Sequence, residues 1–192
     1  MKKVFFIGMN RTATKAFHEL FRGSGYKSFH YSCADVRTGE PIILAREMEY
    51  NLNSYKHVLH RMSNADAYSD MFWHREDVWI DGVKMYKELH AQFPDAYFVL
   101  QTRNMYSWLK SKKTHKDGLY IQRCMEYHNL DMDGMIDWFE KDRNDHEANV
   151  RKYFENNSNF IDFDIDKDDI QTFIDFLKPD FFLNKDNWKK VN

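Results

Sequence analysis

The chain has 192 residues, 43% hydrophobic and 17% aromatic, with a formal net charge of −2. That length suits one domain with a real core, and that composition excludes a disordered chain. The near-neutral balance excludes a broad polyanion-binding surface, so no nucleic-acid partner is expected, while a local basic pocket remains compatible with it.

Lys3 to Ile7 is apolar, aromatic and β-branched, which predicts a buried strand. Gly8 ends the run, and Met9-Asn10-Arg11-Thr12-Ala13-Thr14-Lys15 follows as a turn of small, hydroxyl and basic residues. From Thr12 to Phe21, Ala16, Phe17, Leu20 and Phe21 recur at helical spacing, so a helix is expected there. Strand, turn and helix in that order build an anion site, because a helix N-terminus presents unpaired N–H groups and partial positive charge. Arg11 and Lys15 add formal charge, and Thr12 and Thr14 add hydroxyls. The Gly-Lys-Ser/Thr triplet of nucleoside-triphosphate loops is missing. An ordinary strand-to-helix turn with exposed charges fits the same residues.

Glycines around Ser24 end the first helix, and Tyr26 to Tyr31 reads as a short strand. Pro41 is expected to open a helix running to Leu52, followed by a helical stretch from Tyr55 to Met62. Ala67 to Phe72 reads as a third strand, leading into a loop around His74, Arg75 and Glu76. Val83 to Phe93 reads as a helix, ended by Pro94-Asp95. Ala96 to Thr102 is a clear strand, and Met105 to Lys112 a helix with Asn104 as N-cap. Lys113 to Asp131 lacks clean periodicity and reads as a lid or helical insert. Gly134 to Phe154 reads as a long amphipathic helix, Asn159 to Ile165 as a last strand, and Ile170 to Leu177 as a last helix.

Strands alternate with helices throughout. The expected class is therefore α/β, with a mainly parallel central sheet flanked by helices in one domain over residues 1–192. Cys33 and Cys124 lie far apart in sequence, so no disulfide framework is expected. The N-terminal apolar run breaks at Asn10 and Arg11, too early for a signal peptide, and nothing approaches the ~20 apolar residues of a membrane span. A soluble, cytoplasmic protein is expected. His57 and His60 share a helical spacing without a third ligand, so no metal site is expected.

Arg103 follows the strand Ala96 to Thr102, where α/β sheets bind ligands, and its planar fork suits a phosphate. Ser111 comes eight residues later. Together with the first loop, these pieces resemble the sulfotransferases that use 3′-phosphoadenosine 5′-phosphosulfate. Their first loop, Lys-Ser/Thr-Gly-Thr-Thr/Ser, is matched here by Arg11-Thr12-Ala13-Thr14-Lys15. Their second, a strand ending in Arg with Ser eight residues on, is matched by Phe98-Val99-Leu100-Gln101-Thr102-Arg103 and Ser111. Phe93 to Leu100, Trp108, His146 to Phe154 and Phe160 to Ile165 resemble further segments of the smaller members.

The resemblance implies a P-loop NTPase-like three-layer fold and sulfuryl transfer to a hydroxyl or amine of a small-molecule, glycan or lipid acceptor. It implies that Thr12, Thr14 and backbone amides, with Ala13 and Lys15 completing the loop, hold the 5′-phosphosulfate. Arg11 takes the place of a lysine that stabilises the departing oxygen, and Arg103 and Ser111 hold the 3′-phosphate. Ala13 stands where the family has glycine and Lys15 where it has a hydroxyl. The family's C-terminal Arg-Lys-Gly motif is absent, with Lys185, Trp188 and Lys189 a loose substitute over the adenosine. Asp70 is the first choice of general base, ahead of Glu40, His30 and His74. Phe72, Trp73, Trp79, Tyr106, Trp108, Tyr120 and Tyr127 are candidates for an acceptor pocket or for core. A nucleotide or small-molecule kinase and a non-catalytic binding protein of the same fold are the alternatives.

Overall fold

The computed structural model describes residues 2–189. Five strands form an all-parallel central sheet: β1 (Val4–Phe6), β2 (Ser28–His30), β5 (Ala67–Ser69), β8 (Tyr97–Thr102) and β9 (Phe160–Asp164), in the order β2-β5-β1-β8-β9. Two short strands, β3 (Ser32–Ala34) and β4 (Pro41–Ile43), extend it antiparallel beyond β2. A separate hairpin pairs β6 (Phe72–His74) with β7 (Trp79–Asp81).

The helices cover both faces. The pleat sends Val4 and Phe6 to one face, where they pack on Phe17, Leu20 and Phe21 of α1 (Thr14–Gly23) and Phe173 of α7 (Ile170–Phe176). Phe5 and Ile7 face the other way. There they join residues of α2 (Leu44–Asn53), α3 (Tyr86–Gln92), α4 (Met105–Thr114), α5 (Leu119–His128) and α6 (Met132–Tyr153). Burial on both faces explains why β1 and β8 read as unbroken apolar runs. The three-layer α/β arrangement expected from the sequence is the one that forms.

Several boundaries differ. Pro41 does not open a helix. It starts β4, and the helix begins at Leu44, because the segment from Ser32 pairs with it as an edge hairpin. Residues 55–62 form turns rather than a helix, although Val58, Leu59 and Met62 are buried at helix-like intervals. The strand from Ala67 stops at Ser69, since Asp70 takes φ 55 and breaks the ladder, and Phe72 begins the hairpin instead. The aperiodic stretch after Lys113 contains α5, which buries Tyr120, Ile121 and Cys124. Asn104 caps α4, its side chain accepting from Ser107 N–H.

β1 and β8 meet most closely just past β1. A Cβ on Gly8 would lie 2.1 Å from the Gln101 carbonyl oxygen. Gln101 uses that proximity: its Oε1 accepts from Gly8 N–H at 2.9 Å and its Nε2 donates to the Gly8 carbonyl at 3.3 Å. Any side chain here pushes β8 away and breaks the clamp. Gly8→Ala is therefore expected to lower unfolding stability by about 3 kcal/mol, read from urea titration; a change below about 1 kcal/mol would show that the two strands can separate at little cost.

Candidate functional site

The loop from Ile7 to Ala13 joins β1 to α1 at the carboxyl edge of the sheet. The chain leaves β1 in one direction toward β2, and β8 lies on the other side, so a crevice opens at this point. Five consecutive carbonyls of the loop are held by side chains. His146 donates to Ile7 O at 2.7 Å, Gln101 to Gly8 O, Thr12 Oγ1 to Met9 O, Trp108 Nε1 to Asn10 O at 2.8 Å, and Arg103 Nη1 to Arg11 O at 3.2 Å. The five carbonyls are thereby engaged within the protein, and the N–H groups that an anion could use are those at the start of α1.

The backbone is bent to the same end. Arg11 has φ 68 and Ala13 φ 62, both left-handed, on either side of Thr12. Ala13 is the N-cap of α1 and offers no side-chain cap, so the first helical N–H groups are left to a ligand. A glycine suits such a position; a Cβ there costs about 1–2 kcal/mol.

A cavity of about 750 Å³ lies over this loop, lined by Arg11, Ala13, Thr14, Lys15, Arg103 and Ser111, together with Ser107, Lys110, Thr114, His115, Ile165 and Asp166. Its size is that of a nucleotide-scale ligand site. Four cationic side chains face one carboxylate, Asp166, which already accepts from Asn104 N–H. Burial lowers the Arg11 guanidinium below its usual range; Asp70 opposes that shift and Arg103 adds to it. Arg11 Nε donates to Ser111 Oγ at 3.0 Å, and Arg103 Nε is buried with no partner among the described residues. Two arginines held together beside the start of a helix are an arrangement that an anion could complete. Arg143 of α6 secures the second one: its Nη2 donates to Arg103 O at 2.6 Å while its Nε donates to Glu147.

The residues expected from sequence are thus mostly brought together. Thr12 stands apart: its side chain is fully buried and its hydroxyl is engaged with Met9 O, so Thr14 is the threonine whose side chain lines the cavity. Asp70 follows β5 and lies beside the cavity, with Oδ2 3.8 Å from His30 Nε2, which is in turn 3.2 Å from Thr14 Oγ1. Burial lowers the His30 imidazole below its usual range despite Asp70. Glu40 is exposed at the β3–β4 turn. His74 is buried and bonds Asp81 and Tyr120. Trp188 packs on Phe17 with ring centroids 4.7 Å apart and Lys185 pairs with Asp169, so neither lines the cavity.

Among the aromatic candidates, Phe72, Trp108 and Tyr120 are core, Trp73 and Trp79 are half-buried, and Tyr106 and Tyr127 are exposed. The residues not anticipated, Ser107, Lys110, Thr114 and His115, follow from α4 running along the cavity. The i, i+3, i+4 spacing of Ser107, Lys110, Ser111 and Thr114 was a readable signal.

The left-handed turn at Ala13 carries a measurable cost. Ala13→Gly is expected to raise stability by about 0.5–1 kcal/mol, the strain relieved less the added chain entropy of glycine; a fall on denaturant titration would mean that Ala13 is unstrained.

Among the described residues no helix is long and apolar enough to cross a membrane. A search of curated proteins finds no match. A family model described as a sulfotransferase domain matches residues 3–180, from the start of β1 to beyond α7. Both loops of the cavity lie inside that span, and the chain belongs to the sulfotransferase family.

Proposed function

We propose that this protein transfers a sulfuryl group from 3′-phosphoadenosine 5′-phosphosulfate to a hydroxyl or amine of a small-molecule, glycan or lipid acceptor. The observation that carries the reading is the cationic cavity over the α1 N-terminus, lined by Arg11, Lys15, Arg103 and Lys110. Its size and charge suit a nucleotide bearing anions at two ends.

When bound, the donor supplies an activated sulfuryl group joined through oxygen to a phosphate. Thr14, Lys15 and the N–H groups at the start of α1 would hold its phosphosulfate end. Arg103 and Ser111 would hold the 3′-phosphate, with Lys110 adding charge from the next position on α4. Arg11 lies between the two ends, and its guanidinium would offset charge growing on the departing oxygen.

The acceptor would come from the β5 and β2 side, because α4 and the end of β9 line the opposite side of the cavity. Asp70 stands on that open side. In the reaction the acceptor oxygen or nitrogen bonds to sulfur, the bond from sulfur to the bridging oxygen breaks with its electrons going to that oxygen, and the acceptor proton passes to Asp70. His30 would orient the carboxylate and link it to Thr14.

Calorimetry with adenosine 3′,5′-bisphosphate, and separately with ATP and Mg²⁺, tests the donor assignment. The bisphosphate is expected to bind and ATP to bind at least ~10-fold more weakly, and Arg103→Ala is expected to cost about 2–3 kcal/mol of bisphosphate affinity. Preference for ATP, or an unchanged Arg103→Ala, would overturn the donor site. Once an acceptor is in hand, Asp70→Asn is expected to lower turnover by ~10²-fold or more with donor affinity kept. Turnover within a few-fold of wild type would remove Asp70 from the base role.

A further inference from the structure

Behind the loop lies a buried polar cluster that the proposed chemistry does not use. Its centre is the Tyr120 hydroxyl. Lys112 Nζ lies 3.3 Å from Tyr120 Oη, Asn10 Nδ2 also 3.3 Å, and His74 Nδ1 2.9 Å. His74 Nε2 is 2.7 Å from Asp81 Oδ1, and the other oxygen of Asp81 meets Lys84 Nζ at 2.9 Å. The His74 ring is stacked on Trp79 at 3.6 Å.

Donor counting settles the protons. An ammonium and an amide nitrogen can only donate, and a phenol has one proton and two lone pairs. Lys112 and Asn10 fill the two lone pairs of Tyr120, so Tyr120 must donate to His74 Nδ1. His74 then carries its proton on Nε2 and donates to the ionised Asp81. Burial keeps the imidazole neutral, lowering it below its usual range despite Asp81.

Lys112 is the costly member. It is 3% exposed, and its one hydrogen bond among the described residues goes to Tyr120. The rest of its surroundings are ring faces, Trp108 at 4.8 Å, Tyr120 at 5.2 Å and Phe139 at 4.5 Å. Buried charges without a bonded counterion are expensive, and the three ring faces offset part of that cost without giving a reason for a charge here. Its position gives one. Lys112 follows Ser111, which lines the cavity. Through Tyr120 it is two hydrogen bonds from the Asn10 side chain, one residue before Arg11.

We propose that Lys112 and Tyr120 are positioning residues for the anion site, Tyr120 fixing the loop through Asn10 and Lys112 adding a buried positive charge behind it. Neither touches the ligand. In a poorly screened interior the charge still acts on an anion at the loop, on the order of tenfold in affinity. The proposal rests on the anion-site reading above and extends it to a second tier of residues.

The ionisation of Lys112 separates this role from a structural one. Burial lowers its ammonium to about 8. The charged or titratable groups around it are Tyr120 and Cys124 on α5, His74 and Asp81 on the hairpin, His115 at the end of α4, Asp142 on α6 and Asp70 after β5, with Arg143 sharing the Trp108 ring. Because the folded value lies below the unfolded one, stability contributed through Lys112 rises as pH climbs from about 8 toward the ordinary lysine range. Anion affinity should fall over the same window as the charge is lost. A purely structural lysine gives no such opposition.

The experiment measures binding of adenosine 3′,5′-bisphosphate and of inorganic pyrophosphate from pH 7 to 9.5 by wild type, Lys112→Met and Tyr120→Phe, with unfolding stability in parallel. Wild-type affinity is expected to drop about tenfold across the range. Lys112→Met is expected to bind about tenfold more weakly at pH 7, with a flat profile and stability equal to or above wild type. Tyr120→Phe is expected to weaken binding, and Asn10→Ala should add little to it, since both break one path. A Lys112→Met that loses stability while keeping wild-type affinity and pH slope overturns the proposal. Should that variant fail to fold, wild type alone decides: proton uptake on ligand binding at pH 8, from calorimetry in two buffers, is expected, and its absence overturns the idea. Pyrophosphate binding without bisphosphate binding would remove the nucleotide donor and leave this proposal standing, whereas binding of neither would remove both.

Discussion

The carbonyl groups from Ile7 to Arg11 are each held by a side chain, from β8, the residue after it, α4, α6 or the loop itself, and the shape of the loop depends on that arrangement. A backbone loop at a strand end has no intrinsic reason to expose N–H groups in one direction. Here His146, Gln101, Thr12, Trp108 and Arg103 each take a carbonyl, and the N–H groups at the start of α1 are left without a side-chain cap. The same contacts tie the loop to three other elements, so its shape is set before any ligand arrives. That preorganisation spares a bound anion the cost of ordering the loop.

Positive charge and strain are concentrated at the same place. Arg11 and Ala13 both sit at positive φ, and Asp70 and Tyr31 do so at the ends of neighbouring strands. Left-handed residues without glycine are costly, and here several line one edge of the sheet. Arg11, Lys15, Arg103 and Lys110 repel one another in the cavity, and Lys112 adds a cation inside the core. The apolar layers on both faces, rich in packed phenylalanines from Phe5 to Phe173, supply the stability that holds these unfavourable features in place.

The arrangement also divides the carboxyl edge of the sheet into two halves. The ends of β1, β8 and β9, with α4, enclose the cationic cavity. The ends of β5 and β2 carry Asp70, His30 and Tyr31, and beyond them Trp73 lies against the Arg75 guanidinium at 4.1 Å. One half is lined by cationic side chains, and the other holds a carboxylate, an imidazole and aromatic rings. Such a division suits the two-substrate transfer proposed above.

Much of this was legible in the sequence, where the signal was local. Unbroken apolar runs at Val4 to Ile7 and Tyr97 to Leu100 marked strands buried on both faces, and the phenylalanine and leucine spacing in α1 marked its buried side. The order strand, basic turn, helix pointed to Arg11, Thr14 and Lys15, and the strand-end position to Arg103, all of which line the one cavity, because backbone periodicity and helix-terminus charge are properties of neighbours in the chain. Residues 55–62 failed for the complementary reason: burial at helical intervals came from tertiary packing, not from a helix. Pairing of Pro41–Ile43 with Ser32–Ala34, the break at Asp70, the inward use of the Thr12 hydroxyl and the cluster of Lys112, Tyr120, His74 and Asp81 were decided only by the tertiary structure. Each depends on a partner or a packing environment distant in sequence, and which side chain meets which carbonyl or ring is fixed only when the layers close on one another.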